Sequence, residues 1–231
     1  MGSNNADFSH PKATLKLLAL LTIMSLAGCG GGDSSDPALN SVASNSSSSS
    51  SSSTTTIPPL SVNVVSIEDG HQVGATHWPD GATTTGGHGQ PISGIQCNAT
   101  SQVYHVHSHL SIYLNGEALA TPALIGIVDT SPTSHCDYLI HTHDRTGLIH
   151  VEAPAPAIFT LGQFFAIWGE PLELTDVAGN PGLPVTVYIT DNNVTNLYTG
   201  ALADIELTAH REITIQIGTP ITEIPSYTWI D

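Results

Sequence analysis

Fixed positive charge is almost missing from this chain. Its 231 residues hold four Lys and Arg against twenty Asp and Glu, with twelve His beside them. A formal charge of −16 repels phosphate backbones and anionic headgroups, and there is no basic patch to offset it. Nucleic-acid binding and electrostatic membrane docking are therefore excluded as functions. Charged residues of both signs reach only 10%. The apolar run from Leu17 to Leu26 falls well short of the ~20 residues a membrane-spanning helix needs. What is present is 40% hydrophobic residues with 21 Gly and 15 Pro, the composition of a loop-rich globular protein with a sizeable core.

Lys12 and Lys16 precede that short apolar run, which reads as the core of an export signal. It ends in Leu26-Ala27-Gly28-Cys29, which resembles the lipobox of bacterial lipoproteins. The resemblance implies that residues 1–28 are a lipoprotein signal peptide and that Cys29 is lipidated as the first mature residue. Gly30 after the cysteine implies sorting to an outer membrane. Cleavage there would remove both lysines and both methionines, leaving Arg145 and Arg211 as the only fixed cations against nineteen acids and eleven histidines. Residues 29–56 add a Ser-rich stretch with an unbroken run at Ser46 to Ser53, which cannot bury a core and reads as a flexible tether. Some 25 such residues reach roughly 25–30 Å, enough to hold a domain clear of headgroups. Membrane contact is expected through the lipid anchor only.

Residues 57–231 are expected to form one compact domain of α+β or mainly β class. Val103 to Leu114 alternates, and Asn115-Gly116 is a tight hairpin turn. Tyr138 to His143 and Leu148 to Ala153 flank the polar turn Asp144-Arg145-Thr146-Gly147, which predicts a second antiparallel hairpin. Thr160 and Gln163 have capping-box spacing ahead of Phe164, Phe165, Ile167 and Trp168, and Gly169 with Pro171 ends one short helix. Pro184 to Thr190 and Glu212 to Gly218 predict further strands. Residues 65–97 show no periodicity and read as a long covering loop. Cys97 and Cys136, in an oxidising envelope, are expected to pair as a disulfide that pins the start of the first hairpin to that of the second.

Chemistry concentrates in the histidines. His105, His107 and His109 share one face of a strand, while Val106, Leu110, Ile112 and Leu114 take the other. His141 and His143 repeat the spacing on the second hairpin. With residues 144–147 as its loop, His141 falls opposite His150 and His143 opposite Leu148. Residues two apart on a strand lie about 6.5 Å apart and residues four apart about 13 Å, so His105 and His109 do not readily share one ion. A site then takes two of His105, His107 and His109 and adds two of His141, His143 and His150, and six imidazoles have capacity for two ions. Asp144, Glu152 and Arg145 are candidates to ligate, orient the imidazoles, act as a base or hold an anion. Arg145 could also simply pair with Asp144 or Glu152. Imidazole and carboxylate without a soft sulfur ligand favour Cu(II) or Zn. His71, His77, His88, His135 and His210 are isolated and read as solvated residues.

The strings Tyr104-His-Val-His-Ser-His-Leu110, Tyr113-Leu-Asn-Gly116, Leu139-Ile-His-Thr-His-Asp144, Thr146-Gly-Leu-Ile-His-Val-Glu152 and Thr160-Leu-Gly-Gln-Phe-Phe-Ala-Ile-Trp-Gly169 resemble a family of exported bacterial proteins. The resemblance covers roughly residues 93–218. It implies a real folding unit and transfers no activity. The histidine spacing also resembles the zinc site of carbonic anhydrases, in spacing alone. The expectation is a cell-envelope lipoprotein whose partner is a divalent metal ion, acting in capture, buffering or delivery. Its alternatives are a metalloenzyme at the same site and an interaction module with a structural metal.

Overall fold

Alternation in the first histidine stretch produces an eleven-residue strand around which the fold is built. The computed structural model describes residues 60–81, 86–98, 100–101, 103–131 and 134–229. The export signal, Cys29 and the tether lie outside these residues. In chain order the strands begin with β1 (Leu60–Ser66), β2 (Cys97–Asn98), β3 (Tyr104–Leu114) and β4 (Glu117–Leu119). Then come β5 (Ile127–Ser131), β6 (Ser134–Tyr138), β7 (Ile140–His141) and β8 (Leu148–Ala153). Helix α1 (Leu161–Trp168) follows, with three two-residue strands, β9 (Leu172–Glu173), β10 (Asp176–Val177) and β11 (Asn180–Pro181). The chain closes with β12 (Val185–Asp191), β13 (Val194–Tyr198), β14 (Arg211–Ile217) and β15 (Ile224–Thr228). Among the described residues the domain is mainly β with one α-helix.

A seven-stranded sheet in the order β13-β12-β14-β3-β8-β7, with β4 also on β3, carries the candidate site. The Asn115-Gly116 turn joins β3 to β4 with both residues at positive φ, as a tight hairpin of this kind requires. Strand β14 runs parallel to β3, and β8 runs antiparallel to it on the other side. Pairing fixes which residues share a face. Leu110 and Ile112 of β3, Ile149 and Val151 of β8, and Ile213 and Ile215 of β14 point one way. All are buried against Phe164, Phe165 and Trp168 of α1. Each such side chain contributes about 1.5–3 kcal/mol. The helix itself starts at a reciprocal cap, Gln163 N donating to Thr160 Oγ1 at 3.3 Å and Thr160 N to Gln163 Oε1 at 3.0 Å. It stops at Gly169, whose φ of 85° only glycine adopts without cost.

The opposite face of the sheet is polar and is covered over only part of its length. Strand β15, paired parallel with β1, lays Tyr227 across it. Tyr227 N donates to Glu212 Oε1 at 2.9 Å, and its hydroxyl lies 2.8 Å from Ser111 Oγ. Ile67, Leu148 and Tyr227 make a small second apolar cluster there. The parallel β1–β15 pair had no local sequence signal. The Cys97–Cys136 disulfide forms, with its Cα atoms 5.4 Å apart, and ties the strand preceding β3 to the one preceding β7.

Candidate metal centre

Two registers build the site. Strand β3 against β8 pairs His107 with His150 and His105 with Glu152. Strand β7 against β8 pairs His141 with His150, the register expected from a four-residue turn. His150 therefore has an imidazole on each side. Its ring centroid lies 4.4 Å from that of His107, 5.6 Å from His141 and 4.2 Å from His143. The alternation that buries Ile149 and Val151 is what presents His150 and Glu152 on the other face.

His143 reaches the cluster by a different route from the one its spacing predicts. Strand β7 ends at His141 because the backbone then bonds elsewhere: Thr142 N donates to Ile125 O at 2.9 Å, and the buried Thr142 hydroxyl donates to Pro122 O at 2.8 Å. His143 lies beyond the strand rather than in a rung opposite Leu148, and is exposed, yet its ring still covers that of His150.

The donor atoms fall into two groups that could each hold a metal ion: His105, His107 and His150, and His141, His143 and Glu152, with the atoms of each group all within 4.8 Å of one another. Within them the Nε2 atoms of His105 and His107 are 2.9 Å apart, and those of His141 and His143 are 3.0 Å apart. Glu152, buried to 5% exposure, is drawn into the cluster as a donor in its own right. Its Oε1 lies 3.6 Å from His105 Nε2 and 3.8 Å from His141 Nε2.

His141 shows how the fold fixes a tautomer. Its Nδ1 is 2.8 Å from Tyr138 O, and because a carbonyl only accepts, Nδ1 must carry the hydrogen. In the neutral ring Nε2 is then a bare lone pair, aimed at the His143 nitrogen and the Glu152 carboxylate. Metal-binding imidazoles are oriented by this kind of carbonyl contact.

Burial disfavours the charged form of two of these rings. Burial pushes the His150 pKa down to about 2, helped by the imidazoles of His143, His107, His141 and His105. Burial lowers His141 as well, against the opposing pull of Tyr138 O and Glu152 and with some help from His143. Neutral rings keep the lone pairs that a cation needs.

The structure sets His109 apart from both groups. It is fully buried under Tyr227, ring centroids 3.8 Å apart, with Nε2–H donating to Thr146 O at 2.9 Å and Nδ1 facing Ser111 Oγ at 3.3 Å. Both nitrogens are used. Burial pushes its pKa down to about 4. Arg145 pairs with Asp80, Nε to Oδ1 at 2.9 Å and Nη2 to Oδ2 at 3.1 Å, rather than with Asp144 or Glu152. Asp144 instead holds the turn, accepting from Thr146 N at 3.0 Å and from Gly70 N at 2.6 Å. Neither is placed against the imidazoles by these contacts.

A polar cavity of about 470 Å³ adjoins the histidine face, its lining including Asp191, Asn192, His210, Arg211, Glu212 and Trp229. His210 links the two, its N–H donating to His107 O at 2.8 Å and its ring stacking on Trp229 at 4.8 Å. Arg211 is held by Asp191 through two bonds of 2.8 and 2.9 Å, so the only cation at the cavity is already matched. Compared with family models, curated proteins and solved structures, the chain matches none, and the reading of this centre rests on its own geometry.

Proposed function

We propose that the protein is an envelope lipoprotein that binds a divalent transition metal, Cu(II) or Zn, through the imidazole face of β3, β7 and β8, in capture, buffering or delivery. The observation that carries the reading is the convergence of donor atoms: His141 Nε2, left without a hydrogen by the Nδ1–H bond to Tyr138 O, lies 3.0 Å from His143 Nε2 and 3.8 Å from a buried carboxylate oxygen. The His143 ring can donate Nε2–H to that lone pair, and a cation can take the hydrogen's place between the two nitrogens while drawing in the carboxylate. The choice of ion follows from the donors. The two cysteines of the domain are joined in a disulfide and the residues after Cys29 include no methionine, so no soft ligand is offered. The acidic balance of the chain draws cations toward the site. Lipidation at Cys29, with residues 30–56 as a tether, would hold the domain at the outer membrane. Labelling with a radioactive fatty acid tests this: label in the parent and none in Cys29→Ser is expected, and equal label in both contradicts it.

Competition against a chromophoric chelator tests the metal reading. Zn(II) should be withdrawn from the chelator by the parent and at least tenfold less well by a His105→Ala, His107→Ala variant. Equal withdrawal by both would refute it.

A further inference from the structure

The two donor groups are not independent, because one carboxylate stands between them. We propose that Glu152 bridges two divalent ions, one held by His105, His107 and His150 and the other by His141 and His143. This rests on the metal-binding reading and specifies its stoichiometry.

Reach limits how the donors can be shared. Metal–imidazole bonds of about 2.0–2.1 Å place neighbouring ligands of a tetrahedral ion about 3.3 Å apart, and no two ligands of one ion exceed about 4.2 Å. The His105–His107 and His141–His143 nitrogen pairs, at 2.9 and 3.0 Å, sit a few tenths of an ångström inside the first figure. Each pair is thus spaced to share an ion. The two pairs arise from strands on opposite sides of β8, so their backbones are separated by two strand spacings of about 4.8 Å each. A single ion cannot collect both pairs together with His150 and Glu152 without moving a strand. Two ions can, with small side-chain adjustments.

Between the pairs lies Glu152, on the middle strand and buried. Its Oε1 faces His105 Nε2 at 3.6 Å and His141 Nε2 at 3.8 Å, one nitrogen from each group. A carboxylate in that position reaches both ions and holds them at the ~3.5–4 Å typical of two-metal sites. His150 gives an independent observation. Its Nδ1 is buried and has no hydrogen-bond partner among the described residues, a cost that coordination by Nδ1 itself would offset. The arrangement is asymmetric. The first ion receives three imidazoles and the bridge, a complete tetrahedral set. The second receives two imidazoles and the bridge, which leaves one position for water or a small anion on the side where His143 is exposed.

Titration of the purified full-length protein with Cu(II), followed by electron paramagnetic resonance, tests the bridge. Two equivalents per chain with a half-field transition at saturation are expected. Glu152→Gln should weaken the second equivalent at least tenfold and abolish the half-field line, with an unchanged far-UV spectrum to show that it folds. Saturation at one equivalent overturns the two-ion centre and leaves the metal-binding reading standing. Two equivalents with the full intensity of independent spins overturn the bridge. Uptake of no copper or zinc removes the metal-binding reading and this inference together. The parent protein's spectrum decides the bridge even if the variant fails to fold.

Discussion

His109 separates a histidine that stabilises the fold from those whose donor atoms could hold a metal ion, and replacing it with glutamine tests that division. The ring has no exposure to solvent, and burial pushes its pKa from 6.5 down to about 4. In the unfolded chain the same imidazole takes a proton near pH 6.5. Between pH 6.5 and about pH 4 the unfolded state therefore binds a proton that the folded state refuses, and stability falls as pH falls through that window. At 1.36 kcal/mol per pH unit the loss from this one residue is about 3 kcal/mol, with nothing lost above pH 6.5. Glutamine places an amide N–H near Nε2 and can still donate to Thr146 O, but it does not titrate. Urea unfolding at pH 8, 6.5, 5 and 4 with a chelator present measures the difference. His109→Gln is expected to gain about 3 kcal/mol relative to the parent between pH 6.5 and 4, while its metal content at neutral pH stays unchanged. Parallel stability curves, or a loss of metal, would show that His109 is not the buried neutral residue described here.

Other consequences are local. Breaking the Cys97–Cys136 disulfide in a double serine variant frees a loop of 39 residues and should cost about 4 kcal/mol of unfolding free energy, read by denaturant titration; a cost under ~1 kcal/mol would mean the link does not constrain the unfolded chain. Gly147→Ala should destabilise by about 2 kcal/mol or more, because φ is +89° and a Cβ there would lie 2.6 Å from Leu110 O and 2.9 Å from His109 Nε2. An unchanged melting temperature would contradict that close approach. Thr160→Ala removes the cap of α1 and should cost about 1 kcal/mol, with Thr160→Ser retaining most of it; equal losses in both would place the effect elsewhere than the cap.

Much of the centre was legible in the sequence because it depends on short-range rules. Period-two spacing puts His105 and His107 on one face, and the four-residue turn alone pairs His141 with His150. The Asn115-Gly116 turn and the Thr160 cap likewise declare themselves within a few residues, and the cysteine pair by being the two cysteines of residues 57–231. What was not legible depends on contacts distant in sequence. His109 has the same local pattern as His107, and only the arrival of Tyr227, 118 residues later, buries it. Arg145 finds Asp80 across 65 residues of chain, from a loop without periodicity. Glu152 was visible as a neighbour of the histidines, but its role as a shared donor appears only when β8 lies between β3 and β7. His143 departs from strand geometry because Thr142 bonds to a segment some twenty residues earlier.

Metal content is the most direct measure of the central claim. The protein purified from an oxidising compartment, loaded with metal and analysed by elemental mass spectrometry should carry copper or zinc at one equivalent or more per chain, and a variant with His105→Ala, His107→Ala, His141→Ala and His143→Ala together should carry at least one equivalent less. Sub-stoichiometric metal in the parent after loading, or the same content in both proteins, would contradict the account.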